Sequence, residues 1–241
     1  MIRCVLFDLD GTLVHFEYDD FLKEYFKAIT KAVAPLVEPQ QFAEALVAST
    51  EAMIINGDPS RSNSQVFFED FFQRVTVPED ILVPVFGEFY ANEFTELKDV
   101  LGVQPHPKAR AMLEFLFQEG YDVVIATNAV FPLEAILERM RWGGIQGFPY
   151  KLITCYETMH FCKPNLKYYE ETLEIIRYEP EECLMIGNNM DEDIIAGVLG
   201  LKTYLVEDFL LDSGANQHTP NLRSDFNEFA EFVLSDGIRK L

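Results

Sequence analysis

Acidic and polar residues recur behind several apolar runs of the chain, and their types and spacing carry the first chemical information. Asp8 and Asp10 stand two positions apart at the end of the run that begins at Ile2, with Gly11 and Thr12 next. Thr127 and Asn128 close a second run, Lys163 lies beyond a third, and Asn188, Asp191 and Asp193 follow a fourth. Two carboxylates at that spacing, joined by oxygen donors from another segment, make a donor set for a hard six-coordinate cation that keeps some waters, and Mg2+ meets that description. Taken singly, each group has a simpler role. Asp10-Gly11-Thr12 suits a turn, Asn189 with Glu192 three residues on suits a helix cap, and Lys163 before Pro164 suits an exposed side chain. Their common position at strand ends is what the simpler roles leave unexplained.

Positioning such a set requires a sheet whose strand ends share one edge, and the hydrophobic pattern supplies one. Beyond Gly102 helical and strand-like segments alternate: helix 107–119, strand 121–127, helix 132–141, strand 151–157, helix 164–177, strand 183–187, helix 190–199 and strand 202–206. Continuous apolar strands alternating with helices of about ten residues predict an α/β fold with a parallel sheet and helices on both faces. The strand Ile2–Asp8 has no neighbour of its kind nearby, so it must join the later sheet. Between them, from about His15 to Val100, the chain reads as helices broken near Pro35–Pro39, at Asn56-Gly57-Asp58-Pro59 and around Pro78, a helical module looping out of the sheet. Residues 208–223 read as loop and 225–234 as a short amphipathic helix. Ligands of open parallel sheets bind outside the C-terminal strand ends, where the polar groups above collect.

Composition narrows the partners. Forty Asp and Glu against nineteen Lys and Arg give a net charge of −21, a field that repels nucleic-acid phosphates and anionic lipid headgroups. Neither nucleic acid nor membrane is expected as a partner. No apolar run approaches the roughly 20 residues of a membrane span, and the N-terminus reads as a strand without a signal-peptide pattern, so a cytoplasmic location is expected. Cys4, Cys155, Cys162 and Cys183 form no CxxC pair or zinc-like set and are expected to be buried thiols.

Four strings now stand out together: FDLDGTLV at Phe7–Val14, IATN at Ile125–Asn128, CKPN at Cys162–Asn165 and MIGNNMDEDI at Met185–Ile194. In this order the chain resembles the haloacid dehalogenase-like hydrolase superfamily. The resemblance implies a discontinuous Rossmann-like core, residues 1–14 and 101–241, with a helical cap over residues 15–100. It implies that Asp8 is a nucleophile forming an aspartyl-phosphate, that Asp10 is the general acid and base, and that the Asp10 backbone carbonyl binds the metal alongside Asp8. Thr127, Asn128 and Lys163 would hold the transferring phosphoryl group. The dehalogenating branch resembles DxY at the first motif, and Asp10 in place of the tyrosine points to phosphoryl chemistry.

The fourth motif departs from the pattern. Asn188 follows Gly187 where the family usually has Asp, and Asp193 matches the second acidic position. Asn188 and Asp193 complete the expected metal set with Asp8 and Asp10, and three carboxylates are then balanced by Mg2+ and Lys163. The implied activity is Mg2+-dependent hydrolysis of a small phosphorylated metabolite; a non-catalytic phosphate- or partner-binding role and a sugar-phosphate mutase are the alternatives. No feature assigns an oligomeric state. The phenylalanines 67, 68, 71, 72, 86 and 89 with Tyr90 are spaced for packing inside a helical bundle, Trp142 for a helix end packed on the sheet, and Phe131 is the aromatic expected nearest a substrate. His15 is expected at a helix entry or on the surface.

Overall fold

The computed structural model describes residues 1–215 and 218–241. Its six strands form one parallel sheet in the order β3-β2-β1-β4-β5-β6. Strand β1 (Cys4–Phe7) lies inside it, paired with β2 (Asp122–Ile125) on one side and β4 (Cys183–Gly187) on the other. Strand β3 (Leu152–Ile153) ends one edge, and β5 (Lys202–Val206) with β6 (Leu222–Ser224) completes the other.

Every residue of β1 and β4 is buried, which is why these strands read as unbroken apolar runs. Their side chains alternate between two cores. Cys4, Leu6 and Met185 face α8 (Leu166–Ile176). Val5, Phe7 and Ile186 face the core shared by α6 (Ala109–Gln118), α7 (Leu133–Trp142) and α9 (Phe226–Leu234). The reversal of direction between β2 and β4 about β1 opens a crevice at the C-terminal end of β1.

The predicted insertion is helical throughout. Helices α1 (Tyr18–Val33), α2 (Pro39–Ile54), α3 (Asn63–Arg74), α4 (Glu79–Ala91) and α5 (Glu93–Leu101) intervene between β1 and α6. Two of their starts are capped by side chains close in sequence. Glu38 accepts the Gln41 N–H with Pro39 as the first helical residue, and Ser62 and Gln65 form a reciprocal capping box. Of the predicted aromatics, Phe67, Phe71, Phe86 and Phe89 are buried and Phe68, Phe72 and Tyr90 half-buried, and Phe42 and Phe94, outside that pattern, are buried with them. Trp142 ends α7 as expected, within the core that β1 and β2 share, and its ring also stacks on Phe94 of α5 at 5.3 Å and meets Phe16 and Phe21. It is the rivet between α7 and the inserted helices.

Three elements differ from the sequence reading. The helix expected over 190–199 is a turn followed by a 3-10 helix, Ile194–Leu199, because Asn189 caps Asp191 and Glu192 while Asp193 folds back to accept the Asn189 N–H. The expected strand 151–157 keeps only two ladder residues, since Tyr156 N–H leaves the sheet to donate to Phe131. Strand β6 lies in the predicted loop; with one apolar residue in three it has no hydrophobic period to read. All four cysteines are free and buried. Among the described residues no helix is long and apolar enough to cross a membrane.

Phe94→Ala removes a fully buried ring from the contact with Trp142 and should cost about 3–5 kcal/mol. Trp142 is the sole tryptophan, so its fluorescence during urea unfolding reads the effect directly. An unchanged midpoint would contradict the packing described.

Candidate active site

The C-terminal ends of β1 and β4 approach closely enough that glycine is required in both. Asp8 continues β1 by donating its N–H to Ile186 O at 2.8 Å, and the chain then turns at Gly11, whose φ is +75°. A Cβ on Gly11 would lie 2.3 Å from Asn188 Nδ2, and one on Gly187 would lie 2.0 Å from Asp193 Oδ2. The Thr12 hydroxyl fills the remaining gap, 3.3 Å from Asp8 Oδ2 and 3.2 Å from Asn188 Oδ1, with one proton to share between them.

Lys163 sits behind this junction with its side chain fully buried. Its Nζ donates to Asp193 Oδ1 at 2.5 Å and Asp8 Oδ1 at 3.1 Å. Burial alone would lower the lysine pKa, yet the two carboxylates hold it well above its usual value, so the ammonium stays charged. Burial likewise pushes the Asp193 carboxyl upward, and Lys163 pulls it back. Asn128 fixes the lysine from the other side. Its Oδ1 accepts the Lys163 N–H at 3.1 Å, while its Nδ2 donates to Lys163 O at 3.3 Å and Glu192 Oε2 at 3.1 Å. Thr127 is buried beside it, its carbonyl accepting from the Thr154 and Tyr168 hydroxyls, each at 2.8 Å.

Asp10 is held by a residue the sequence reading did not single out. The guanidinium of Arg139, on α7, is completely buried and donates through Nη1 to Asp10 Oδ2 at 2.5 Å. Its carbon lies 4.4 Å from the Phe131 ring centroid and 5.3 Å from that of Phe21, a cation–π arrangement. Asp10 Oδ1 is buried without a hydrogen-bond partner. Burial pushes the Asp10 carboxyl up to about 6, against the pull of Arg139 and with a further push from Asp8. One oxygen is therefore fixed and the other left to act. The missed signal was a helical period: Ala135, Ile136 and Met140 are buried on α7, and Arg139 falls on the same face, a charge where an apolar residue belongs.

A cavity of about 70 Å3 opens on these groups, walled by Asp8, Asp10, Thr127, Asn128, Asn188 and Glu192. The structure thus brings five of the expected site residues to one surface and places Lys163 and Asp193 immediately behind them, both buried. Asp191 is not part of this wall; its Oδ2 accepts the Ser213 N–H. Phe131, Tyr18 and Glu192 also line the cavity, and only the first was expected. His15 is half-buried against His106, Phe209 and Phe226, away from the wall. Oxygen donors dominate the site, which suits a hard cation. Among the described residues no three His, Cys, Asp or Glu side chains converge as a metal cluster, so a cation here would also draw on a backbone carbonyl and the Asn188 amide oxygen.

Comparison with known proteins then decides the family. The sequence pattern of haloacid dehalogenase-like hydrolases matches residues 2–199. The chain belongs to that family. Among curated relatives, the hydrolase is 27% identical over 214 residues to a glyceraldehyde 3-phosphate phosphatase of Methanothermobacter thermautotrophicus, covering 88% of this chain and 89% of the relative. It is 28% identical over 206 residues to a phosphoglycolate phosphatase of Aquifex aeolicus, covering 85% and 84%. Among solved structures it is similar in fold to a HAD phosphatase from Thermococcus onnurineus, with a TM-score of 0.58, 16% identity and coverage of 96% and 98%. An L-2-haloacid dehalogenase from Xanthobacter autotrophicus follows with a TM-score of 0.56, 14% identity and coverage of 97% and 99%. The helical insertion after β1 is thus a feature of the hydrolase's fold class.

Arg139→Met should leave Asp10 buried without a counter-charge and destabilise the hydrolase by about 3–5 kcal/mol. Adding Asp10→Asn removes the charge left behind and should recover a large part of that loss. Equal unfolding free energies for the single and double variants would show that the pair is not coupled as described.

Proposed function

We propose that the hydrolase is a Mg2+-dependent phosphatase acting on small phosphate monoesters, with residues 1–14 and 101–241 as catalytic core and residues 15–100 as cap. The observation that carries this reading is the buried Lys163 ammonium, 3.1 Å from Asp8 and immediately behind the wall of an acidic cavity. Asp8 and Asp193 hold that ammonium in place, and its charge stands beside the carboxylate at which an anionic group would be received. The two curated relatives named above are both phosphatases, which supports the same chemistry. The likeness to a dehalogenase is one of fold, and the hydrolase carries Asp10 where the dehalogenating branch resembles DxY.

In this mechanism an Asp8 carboxylate oxygen attacks phosphorus and the bond from phosphorus to the leaving oxygen breaks. Asp10, oriented by Arg139, gives its proton from Oδ1 to the leaving alkoxide. Asp10 then takes a proton from the water that attacks the aspartyl-phosphate, and Asp8 is released with inorganic phosphate. Thr127 and Lys163 hold the phosphoryl oxygens, while Asn128 positions Lys163 through its backbone. Mg2+, held by Asp8, the Asp10 carbonyl, Asn188 and Asp193, would supply further positive charge to the phosphoryl group. Arg139 and Glu192 alter the balance read from sequence: with Asp10 ionised, four carboxylates face Mg2+ and two buried cations and the site is formally neutral, and the proton Asp10 carries as acid leaves one positive charge for the incoming phosphate.

Mg2+-dependent phosphate release from p-nitrophenyl phosphate should be abolished by Asp8→Asn with the fold intact. Near-native turnover in that variant would refute the nucleophile. Asp10→Asn should cost roughly a hundredfold or more with an alkyl phosphate and less with an aryl phosphate, whose leaving group needs less protonation. Equal losses would argue against the acid role.

Asn188→Asp adds a charge beside the cation and should tighten Mg2+ half-saturation. It also exchanges a donor for an acceptor at the Phe209 carbonyl, which Asn188 Nδ2 now reaches at 2.5 Å, so unfolding stability should fall by about 1–3 kcal/mol. An unchanged Mg2+ constant would remove Asn188 from the metal set.

A further inference from the structure

A second cavity of about 410 Å3 lies between α1, α2, α3 and α4 and the loop after β2. It shares Tyr18, Asn128, Val130, Phe131 and Glu192 with the cavity of Asp8 and Asp10, so the two adjoin across these residues. The small chamber fits a phosphoryl group; the large one, in the size range of ligand pockets, receives whatever is esterified to it. Its walls are apolar, with Leu22, Phe26, Ile29, Leu46, Ile54 and Phe68 among them.

The polar groups it does contain are neutral, among them the hydroxyls of Tyr18, Thr50 and Tyr156, or acidic. The Tyr25 and Tyr90 hydroxyls bond each other at 2.9 Å. Glu51 and Glu192 are the charged residues of the wall, which has no Lys, Arg or His among the described residues. Arg139, directly beneath Phe131, is already committed to Asp10. A leaving group with its own carboxylate or second phosphate would therefore enter a largely apolar chamber whose charged groups, Glu192 and the exposed Glu51, are both acidic, with no cation to meet it. An apolar leaving group would exchange water for a surface of matching character.

Resting on the phosphatase reading, we propose that the hydrolase selects phosphate monoesters of neutral, largely apolar alcohols or phenols, with the leaving group lodged in this chamber. The chemistry differs from that of glycolate, the two-carbon acid in the name of the Aquifex aeolicus relative. Val130 and Phe131 line both chambers, and Ile54 of α2, which lines only the larger one, belongs to its apolar wall.

The test is a series of n-alkyl phosphates from ethyl to octyl, with phosphoglycolate as the anionic counterpart of ethyl phosphate, assayed with Mg2+. The value of kcat/KM should rise about fourfold for each methylene until the chamber is filled, the fold-change equivalent to about 0.8 kcal/mol per buried CH2. Phosphoglycolate should fall below ethyl phosphate. Ile54→Trp should flatten the octyl-to-ethyl ratio, and Ile54→Lys should raise the phosphoglycolate-to-ethyl ratio, a gain that misfolding does not produce. Turnover of the series with a flat or falling dependence on chain length, or a preference for phosphoglycolate in the unaltered hydrolase, overturns the apolar leaving group and leaves the phosphatase reading standing. Absence of Mg2+-dependent phosphate release from every ester, p-nitrophenyl phosphate included, overturns both.

Discussion

A lysine ammonium with no exposed surface, held between Asp8 and Asp193, is the constraint around which the site is built. Removing such a charge from water costs several kcal/mol, and only close, hydrogen-bonded carboxylates offset it. That requirement explains much of the local structure. Asp193 reaches Lys163 because the chain after β4 turns instead of continuing as a regular helix, and because Gly187 leaves room for its carboxylate. The backbone of Lys163 cannot shift, since Asn128 binds both its N–H and its carbonyl. Strands β1, β2 and β4 are thereby tied together at their C-terminal ends by side chains as well as by the sheet.

Arg139 extends this electrostatic frame into the helical insertion. Its guanidinium bonds Asp10 while lying against Phe21 of α1 and Phe131 of the β2–α7 loop. Phe21 in turn contacts Phe94 and Trp142. The acid and base of the proposed reaction is thus oriented by a residue whose surroundings belong partly to the cap. A displacement of α1 would reach Asp10 through the Phe21–Arg139 contact and the Arg139–Asp10 ion pair, which gives cap position a physical route to the chemistry.

The sheet and the polar residues at its edge were legible because both depend on local signals. Buried parallel strands must be continuously apolar, and the groups that end them stand next to them in sequence. Arg139 was not legible in that way, because its partner Asp10 lies 129 residues earlier. Only its placement on the buried face of α7 marked it. The cap aromatics taught the opposite lesson. Their spacing reported which side of each helix faces inward, and Phe71 and Phe89 pack as that spacing implies. Yet Phe67, Phe68 and Phe86 of the same pattern also line the large chamber. Helical period identifies an inward face; it carries no information on whether the facing surfaces touch or leave a space.

The central claim is that phosphate passes through a covalent bond to Asp8. Borohydride reduces an acyl phosphate to an alcohol, so quenching turnover of p-nitrophenyl phosphate with it and sequencing the peptides by mass spectrometry reads the intermediate directly. The account predicts homoserine at residue 8, formed only when substrate and Mg2+ are both present. Rapid phosphate release with residue 8 unmodified, or reduction at another carboxylate, would contradict it.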